Sequence, residues 1–332
     1  MEPSNGVESA SPRRKRFAAY AWVVTALTLA VILWGAYVRA SRSGDGCGAH
    51  WPLCNGTVVP DATHAKTLVE FAHRATSGLA FLLVVALVVW AFRTFRREHP
   101  ARAAAVASGI FIVTESLIGA GLVLLRLVAD NASIARALYL SVHLVNTFLL
   151  IAALALTAWC ATEACAARMR LRDILRGRAG AALVAALVLG VSGAVAALGA
   201  TLFPESAQAV AGQETSPSAQ LLFSLRQYKL HPLLAVLVGV YLIYFALRTH
   251  RSCDDAWVKR WAESVVVLVV AQLGAGLLNA ALLAPVWLQI IHLLLADLVW
   301  LALVLLSASS LAQIKTSSEE FKRVGLQTPV EI

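Results

Sequence analysis

The stretch EFAHRATSGLAFLLVVALVVW, Glu70 to Trp90, carries Glu70, His73 and Arg74 in its first turns and no ionisable side chain after them. About 20 apolar residues suffice for a helix to cross a bilayer, and this run sits inside a span read at 68–92. Seven more stretches read the same way, near 17–40, 103–126, 135–160, 180–200, 227–247, 262–283 and 286–311. Over its 332 residues the chain is 59% hydrophobic and only 14% charged, outside the range of soluble globular proteins. The expected fold class is therefore an all-α membrane protein with eight transmembrane helices. No cleavable signal peptide is evident, since the first apolar run is too long and follows Arg13-Arg14-Lys15-Arg16 without a clear cleavage site. Residues up to about Pro12 and after about Lys315 are polar and expected to be mobile.

The net charge of +9 is a topology signal. With the amino terminus in the cytoplasm, 20 of the 28 Lys and Arg gather on that side, among them Arg13, Arg16, Arg93, Arg97, Arg168, Arg176, Arg248 and Lys259. The positive-inside rule then predicts both termini in the cytoplasm, with the chain in a bacterial cell membrane. The same excess favours anionic lipid, and no nucleic-acid partner is expected.

The chain also repeats itself. Gly119-Ala120-Gly121-Leu122 returns as Gly274-Ala275-Gly276-Leu277, an offset of 155 (274 − 119). Four spans per repeat give both halves the same orientation, so the repeat is parallel, with its axis along the membrane normal. The organisation expected is a basic amino-terminal segment (1–16), a first four-helix half (17–160), a linker (161–179), a second four-helix half (180–311) and a tail (312–332).

Four histidines obey that duplication: His231 lies 158 residues after His73, and His292 lies 149 after His143. All fall on the outer side, roughly 6–12 Å from the helix ends at about 1.5 Å per residue. A polar ring is costly in hydrocarbon, so intramembrane histidines have an occupation by default. Two histidines on facing helices are what a haem iron with two axial imidazoles requires. His73 with His143, and His231 with His292, therefore predict two haem sites. One such residue alone would pass for a packing histidine, but four at matching depths in a duplicated frame argue for ligands. His50, His64, His99 and His250 read as loop residues.

Differences between the halves are informative. Glu70 precedes His73 by three residues, on the same helical face, whereas Tyr228 holds that place before His231. Cys47 and Cys54 stand in the first outer loop, while 201–228 has no cysteine. An acid and a cysteine pair in one half only suggest one reactive and one supporting site. Plainer readings stand beside this: Glu70 as a carboxylate at a helix amino terminus, and the cysteines as a bridge that merely pins the loop or as a pair that exchanges. Cys160, Cys165 and Cys253 lie at inner helix ends, where thiols stay reduced. Structural zinc spacing is lacking around His50 and His64.

Glu115 and Asp297 are carboxylates inside spans, and such groups default to functional hypotheses. Gln272 matches the place of Glu115, so hydrogen bonding between helices is the favoured reading for Glu115. Arg39, Arg74 and Arg126 lie near outer helix ends. They suit haem propionates or snorkelling toward headgroups.

These residues resemble the haem A synthase family. Gly44-Asp45-Gly46-Cys47-Gly48-Ala49-His50-Trp51-Pro52-Leu53-Cys54-Asn55-Gly56 is similar to its first outer-loop signature, and Glu70-Phe71-Ala72-His73-Arg74 to the opening of its second span. Tyr139-Leu140-Ser141-Val142-His143-Leu144, Thr201-Leu202-Phe203-Pro204, Lys229-Leu230-His231-Pro232 and Ile291-His292-Leu293 extend the likeness over about 17–311. The resemblance implies oxidation of a methyl substituent of haem O to the formyl group of haem A, for use in terminal oxidases. It implies that His231 and His292 ligate a haem B cofactor and that His73 and His143 flank or ligate the haem O iron. It further implies that Glu70 is the essential acid and that Cys47 and Cys54 form a disulfide. Departures are modest: Glu115 stands where Gln is common, and Ala200 where an acid is frequent. Haem O synthase and an electron acceptor are the expected partners, with lipid around the chain and homo-oligomerisation left open. The rival reading is a non-catalytic dihaem carrier that exchanges electrons with quinone. That rival explains the histidines but neither Glu70 nor the cysteine loop.

Overall fold

Nine helices account for nearly all the described residues of the computed structural model, which are 11–61, 64–162, 177–203, 216–227 and 230–323, with side chains at 225–227 and 313–323 left aside. They are α1 (Pro12–Ala40), α2 (Ala65–Thr94), α3 (Pro100–Leu124), α4 (Ile134–Thr162), α5 (Gly177–Leu202), α6 (Pro217–Gln227), α7 (Leu230–Ser252), α8 (Ala256–Ala281) and α9 (Val286–Arg323). All but α6 are long and apolar enough to cross a membrane. No strand occurs among the described residues beyond an isolated bridge between Cys54 and Thr57. Cys165 and most of the linker, Pro204, Tyr228, Lys229 and the far ends of both tails lie outside the described residues.

Local chemistry sets several helix ends. Pro12 and Pro100 occupy first turns, where a missing N–H costs nothing. His99 caps α3 by accepting from Ala101 N–H at 3.2 Å. Burial, and then the Arg14 charge, hold its pKa below the ordinary imidazole value, which keeps Nδ1 an acceptor. Asp255 accepts from the N–H groups of Trp257 and Val258 to start α8. Arg13 donates to the carbonyl of Arg93 at the end of α2, where the helix dipole favours a cation.

Each half closes into a ring. α1 lies beside α2 and α4, and α3 beside the same two; likewise α5 lies beside α7 and α9, and α8 beside those two. Helices α2 and α4, and α7 and α9, are therefore diagonal partners across their rings. The rings meet where α4 packs on α5 and α9, and α1 on α9. At this seam Trp300 stacks on Phe148, with ring centres 5.3 Å apart, and donates Nε1–H to the Phe148 carbonyl at 2.7 Å. We call the membrane side that carries residues 41–64 the loop side, and the other the terminal side.

The main apolar core is uneven. It runs from Phe17, Leu87, Ala101 and Leu154 through Leu242 and Val258 to Leu303, all toward the terminal side. On the loop side a second cluster is small: Ala137, Leu198, Phe203, Ala219 and Leu222. Tight packing thus holds one end of both rings and leaves the other to the histidines. Departures from the sequence reading lie at helix ends, among them the seventh span, which begins at Ala256 rather than 262, and the first, at Pro12 rather than 17. The sixth span begins at Leu230 rather than 227, after a separate helix α6, and the last helix continues to Arg323 instead of ending near 311.

Candidate functional site

The loop after α1 is bound down onto α2. Cys47 and Cys54, both buried, form a disulfide with Cα atoms 4.4 Å apart. Gly46 lies flat on the start of α2: a Cβ there would come within 2.4 Å of the Lys66 carbonyl carbon and oxygen. Thr67 donates to the Gly46 carbonyl at 2.8 Å, and Asn55 to the same oxygen at 3.2 Å. Glu70, buried at 3% exposure, uses both carboxylate oxygens: Oε2 accepts Cys47 N–H at 2.8 Å, and Oε1 accepts Arg74 Nη2 at 2.5 Å and Nε at 3.1 Å. Arg74 also donates to the carbonyls of His50 and Leu53. Glu70 and Arg74 therefore lock the disulfide loop one turn from His73.

Each of the four histidines rests on a glycine of a neighbouring helix. A Cβ built on Gly35 would lie 2.9 Å from His73 Cε1; on Gly193, 3.1 Å from His231 Cε1; on Gly276, 3.0 Å from His292 Cε1; and on Gly119, 3.9 Å from His143 Cε1. The structural counterparts are thus Gly119 and Gly276, two residues out of step with the repeated Gly-Ala-Gly-Leu. Gly121 instead makes room for Tyr139. His231 and His292 have ring centres 6.4 Å apart and planes 86° to each other. Two imidazoles on opposite faces of one iron, each bonded at about 2 Å, place their ring centres about 6 Å apart. The pair fits a haem iron.

The outward edges of the rings differ. His231 Nδ1 lies 2.9 Å from Ser192 Oγ, which itself bonds the Leu189 carbonyl at 2.7 Å. With its hydrogen used on that carbonyl, Ser192 accepts from Nδ1–H and so leaves Nε2 free for metal. In His292 the contact falls on the other nitrogen: Nε2 has Gln272 Nε2 at 3.4 Å. His143 Nδ1 stands 3.5 Å from Glu115 Oε1, an ion-pair distance without hydrogen-bond alignment. Glu115 joins α3 to α4 by accepting from Asn146 Nδ2 at 2.6 Å and pairing with Thr147 Oγ1. The Nδ1 atoms of His73, His143 and His292 are buried without a hydrogen-bond partner. Ser192 was invisible in the sequence, because a serine inside an apolar run ordinarily bonds its own helix.

Ser192→Ala tests that contact. It strands a buried N–H, at a cost of about 1–3 kcal/mol, and should weaken haem binding by the second-half pair on the order of tenfold. Ser192→Thr should preserve it. Absorbance titration of haem-stripped protein reads both variants.

Among the described residues no three or more His, Cys, Asp or Glu converge on a metal position. Two imidazoles need a macrocycle to complete the coordination of an iron. The ring spacing, the glycine rests and the sparse core on the loop side all fit a flat haem between diagonal helices. The arginines read from the sequence divide. Arg74 is engaged with Glu70 and the loop, Arg126 lines a cleft of about 340 Å³ with Asp45 and Gly48, and Arg39 reaches across the seam to Thr201 and Gln289. Asp297 is fully buried on α9 with neither oxygen bonded.

The sequence profile of the cytochrome oxidase assembly protein family matches residues 18–304. A Thermus thermophilus protein named Protoheme IX farnesyltransferase is 49% identical over 302 residues, 91% of this chain and 49% of its own length. The chain thus spans about half of that relative. A protein named Heme A synthase from Symbiobacterium thermophilum is 48% identical over 100 residues, 30% of this chain and 32% of its own. Another of that name, from Alkalihalophilus pseudofirmus, is 38% identical over 109 residues, 33% and 37% of the two chains. With eight apolar spans, this is a multi-pass membrane protein. It belongs to the cytochrome oxidase assembly protein family, the haem A synthase family that its loop and histidines resemble.

Proposed function

We propose that the chain is a haem A synthase, an oxidoreductase that converts a methyl substituent of haem O to a formyl group. The observation that carries this reading is the docking of the disulfide loop onto Glu70, beside one histidine pair and not the other. Haem B would be the resident cofactor of His231 and His292, and haem O the substrate of His73 and His143. Bound haem supplies the one-electron chemistry that side chains lack.

The chain's own part is orientation and proton handling. Cys47 N–H and the Arg74 guanidinium fix both oxygens of Glu70 before a substrate arrives. So fixed, Glu70 would position water at the reacting carbon, or accept the proton that water releases as it adds there. Leu79, Leu82 and Leu117 on α2 and α3 are exposed, an apolar flank against which an isoprenoid tail can lie in the bilayer.

Farnesyl transfer, the activity in the name of the Thermus relative, is the step that makes haem O. We assign it to the part of that protein outside the match, because relatives named Heme A synthase match this chain itself. Haem O synthase is then a natural neighbour, alongside an electron acceptor. The division into a substrate half (17–160) and a cofactor half (180–311), with both termini cytoplasmic, rests on the duplication and the basic residues of the terminal side.

The test is haem extraction, with chromatography and mass detection, from a host that makes haem O but lacks its own haem A synthase. Haem A or its hydroxylated precursor should appear only with this chain. Glu70→Ala should lower that product about 10²-fold or more while second-half haem stays bound. Haem B in the purified protein with host haem O unchanged would favour the dihaem electron carrier.

A further inference from the structure

Two guanidinium groups of the first half lie inside the loop side, and one of them crosses the seam between the rings. Arg136, only 3% exposed, donates Nη1 to the carbonyls of Ala129 and Asn131, and its Nε is buried without a partner. Arg39 donates Nη1 to the Ala197 carbonyl and Thr201 Oγ1, both at 2.8 Å, and Nη2 to Gln289 Oε1 at 3.2 Å. All these partners are neutral. Among the described residues neither guanidinium has a carboxylate within 4.0 Å. The nearby acid Asp130 is paired with Arg42 at 3.0 Å and only partly offsets the charge of Arg136. A buried cation whose hydrogen-bond partners are all neutral is expensive, and an anion beside it removes much of that cost.

Their heights relate them to the histidines. Arg39 stands one turn beyond Gly35, the rest for His73, yet its guanidinium crosses to α5 and α9. There it meets Gln289, one turn from His292 on the same face. In the second half the place of Arg39, 158 residues on, is Ala197, whose carbonyl Arg39 itself binds. Arg136 stands two turns beyond His143 on α4.

We infer that Arg39 and Arg136 each bind a haem carboxylate, Arg39 of the first half reaching across the seam to a propionate of the second-half haem and Arg136 holding one of the first-half haem. This rests on the proposed haem function. Each haem then binds with a side chain that its own histidines do not supply, and the second-half pocket is incomplete without the first half. Arg136 was not singled out from the sequence, where it is one more cation near a span's end.

The experiment titrates haem-stripped full-length protein with haem B and, separately, with haem B dimethyl ester, which lacks the two charges. A His73→Ala background reads the second-half site and a His231→Ala background the first. Protein with both arginines intact should bind the ester about tenfold or more weakly than haem B. In the His73→Ala background, Arg39→Leu should bring haem B down to the ester's affinity and leave the ester unchanged, with Arg39→Lys in between. Arg136→Leu should do the same in the His231→Ala background. Equal binding of the two ligands by protein with both arginines intact overturns the inference without any arginine variant having to fold. So does an equal loss for both ligands on Arg39→Leu, which would assign Arg39 to holding the halves together. Absence of a low-spin haem spectrum with either ligand in otherwise unaltered protein would instead sink the haem reading itself.

Discussion

His231→Ala and His292→Ala each remove the second-half haem and leave the eight spans assembled. The two rings sit 6.4 Å apart, a gap one iron closes with a bond to each. A single imidazole leaves a five-coordinate, weakly held iron, so the second-half part of the low-spin spectrum should vanish, and any first-half part should remain. Both residues lie on the loop side, outside the main apolar core, which is why the helices survive the loss. Stability should fall all the same, because a ligand bound only by the folded chain contributes about 3–4 kcal/mol at 100–1,000 times its Kd. Optical spectra and thermal unfolding, each with and without added haem, check both parts. A low-spin spectrum of full intensity in either variant would move the cofactor to other ligands.

Gly46→Ala should abolish product almost as completely as Glu70→Ala, although residue 46 touches no haem-facing group. The added methyl meets the backbone of Lys66 and Thr67 at 2.4–2.6 Å, and the first turn of α2 cannot retreat without unwinding. The loop must lift, and with it go the Thr67 and Asn55 bonds to Gly46 and the Cys47 bond to Glu70. Three such bonds at about 0.5–1.5 kcal/mol each give a local loss on the order of 2–4 kcal/mol. The disulfide and the second-half haem should persist. Haem A yield, haem B content and limited proteolysis across 41–64 together read the outcome. Normal yield with a freed loop would show that Glu70 needs no orientation from the loop.

The spans were legible because lipid demands long uncharged runs, and the ends of all eight fall within six residues of their expected places. The nearness of His231 to His292 was legible because polar rings in hydrocarbon are rare. Other features hid for physical reasons. Helix α6 has only 11 residues and lies at the end of a ring, so no crossing-length pattern marks it, although Ser216-Pro217 is a fair helix start. Sequence identity in Gly119–Leu122 and Gly274–Leu277 suggested a register that the histidine contacts shift by two residues. Loop lengths between paired helices differ, and only contacts reveal which glycine faces which ring. Arg74 fitted either propionate or headgroup on sequence grounds. Its actual partners, Glu70 and two loop carbonyls, depend on how residues 47–54 fold back, which spacing alone does not convey.

An even number of crossings returns a chain to the side where it started. The eight spans of the described residues therefore leave Pro12 and the far end of the last span on one side, and an integral protein joined there needs no adaptor helix to restore its orientation.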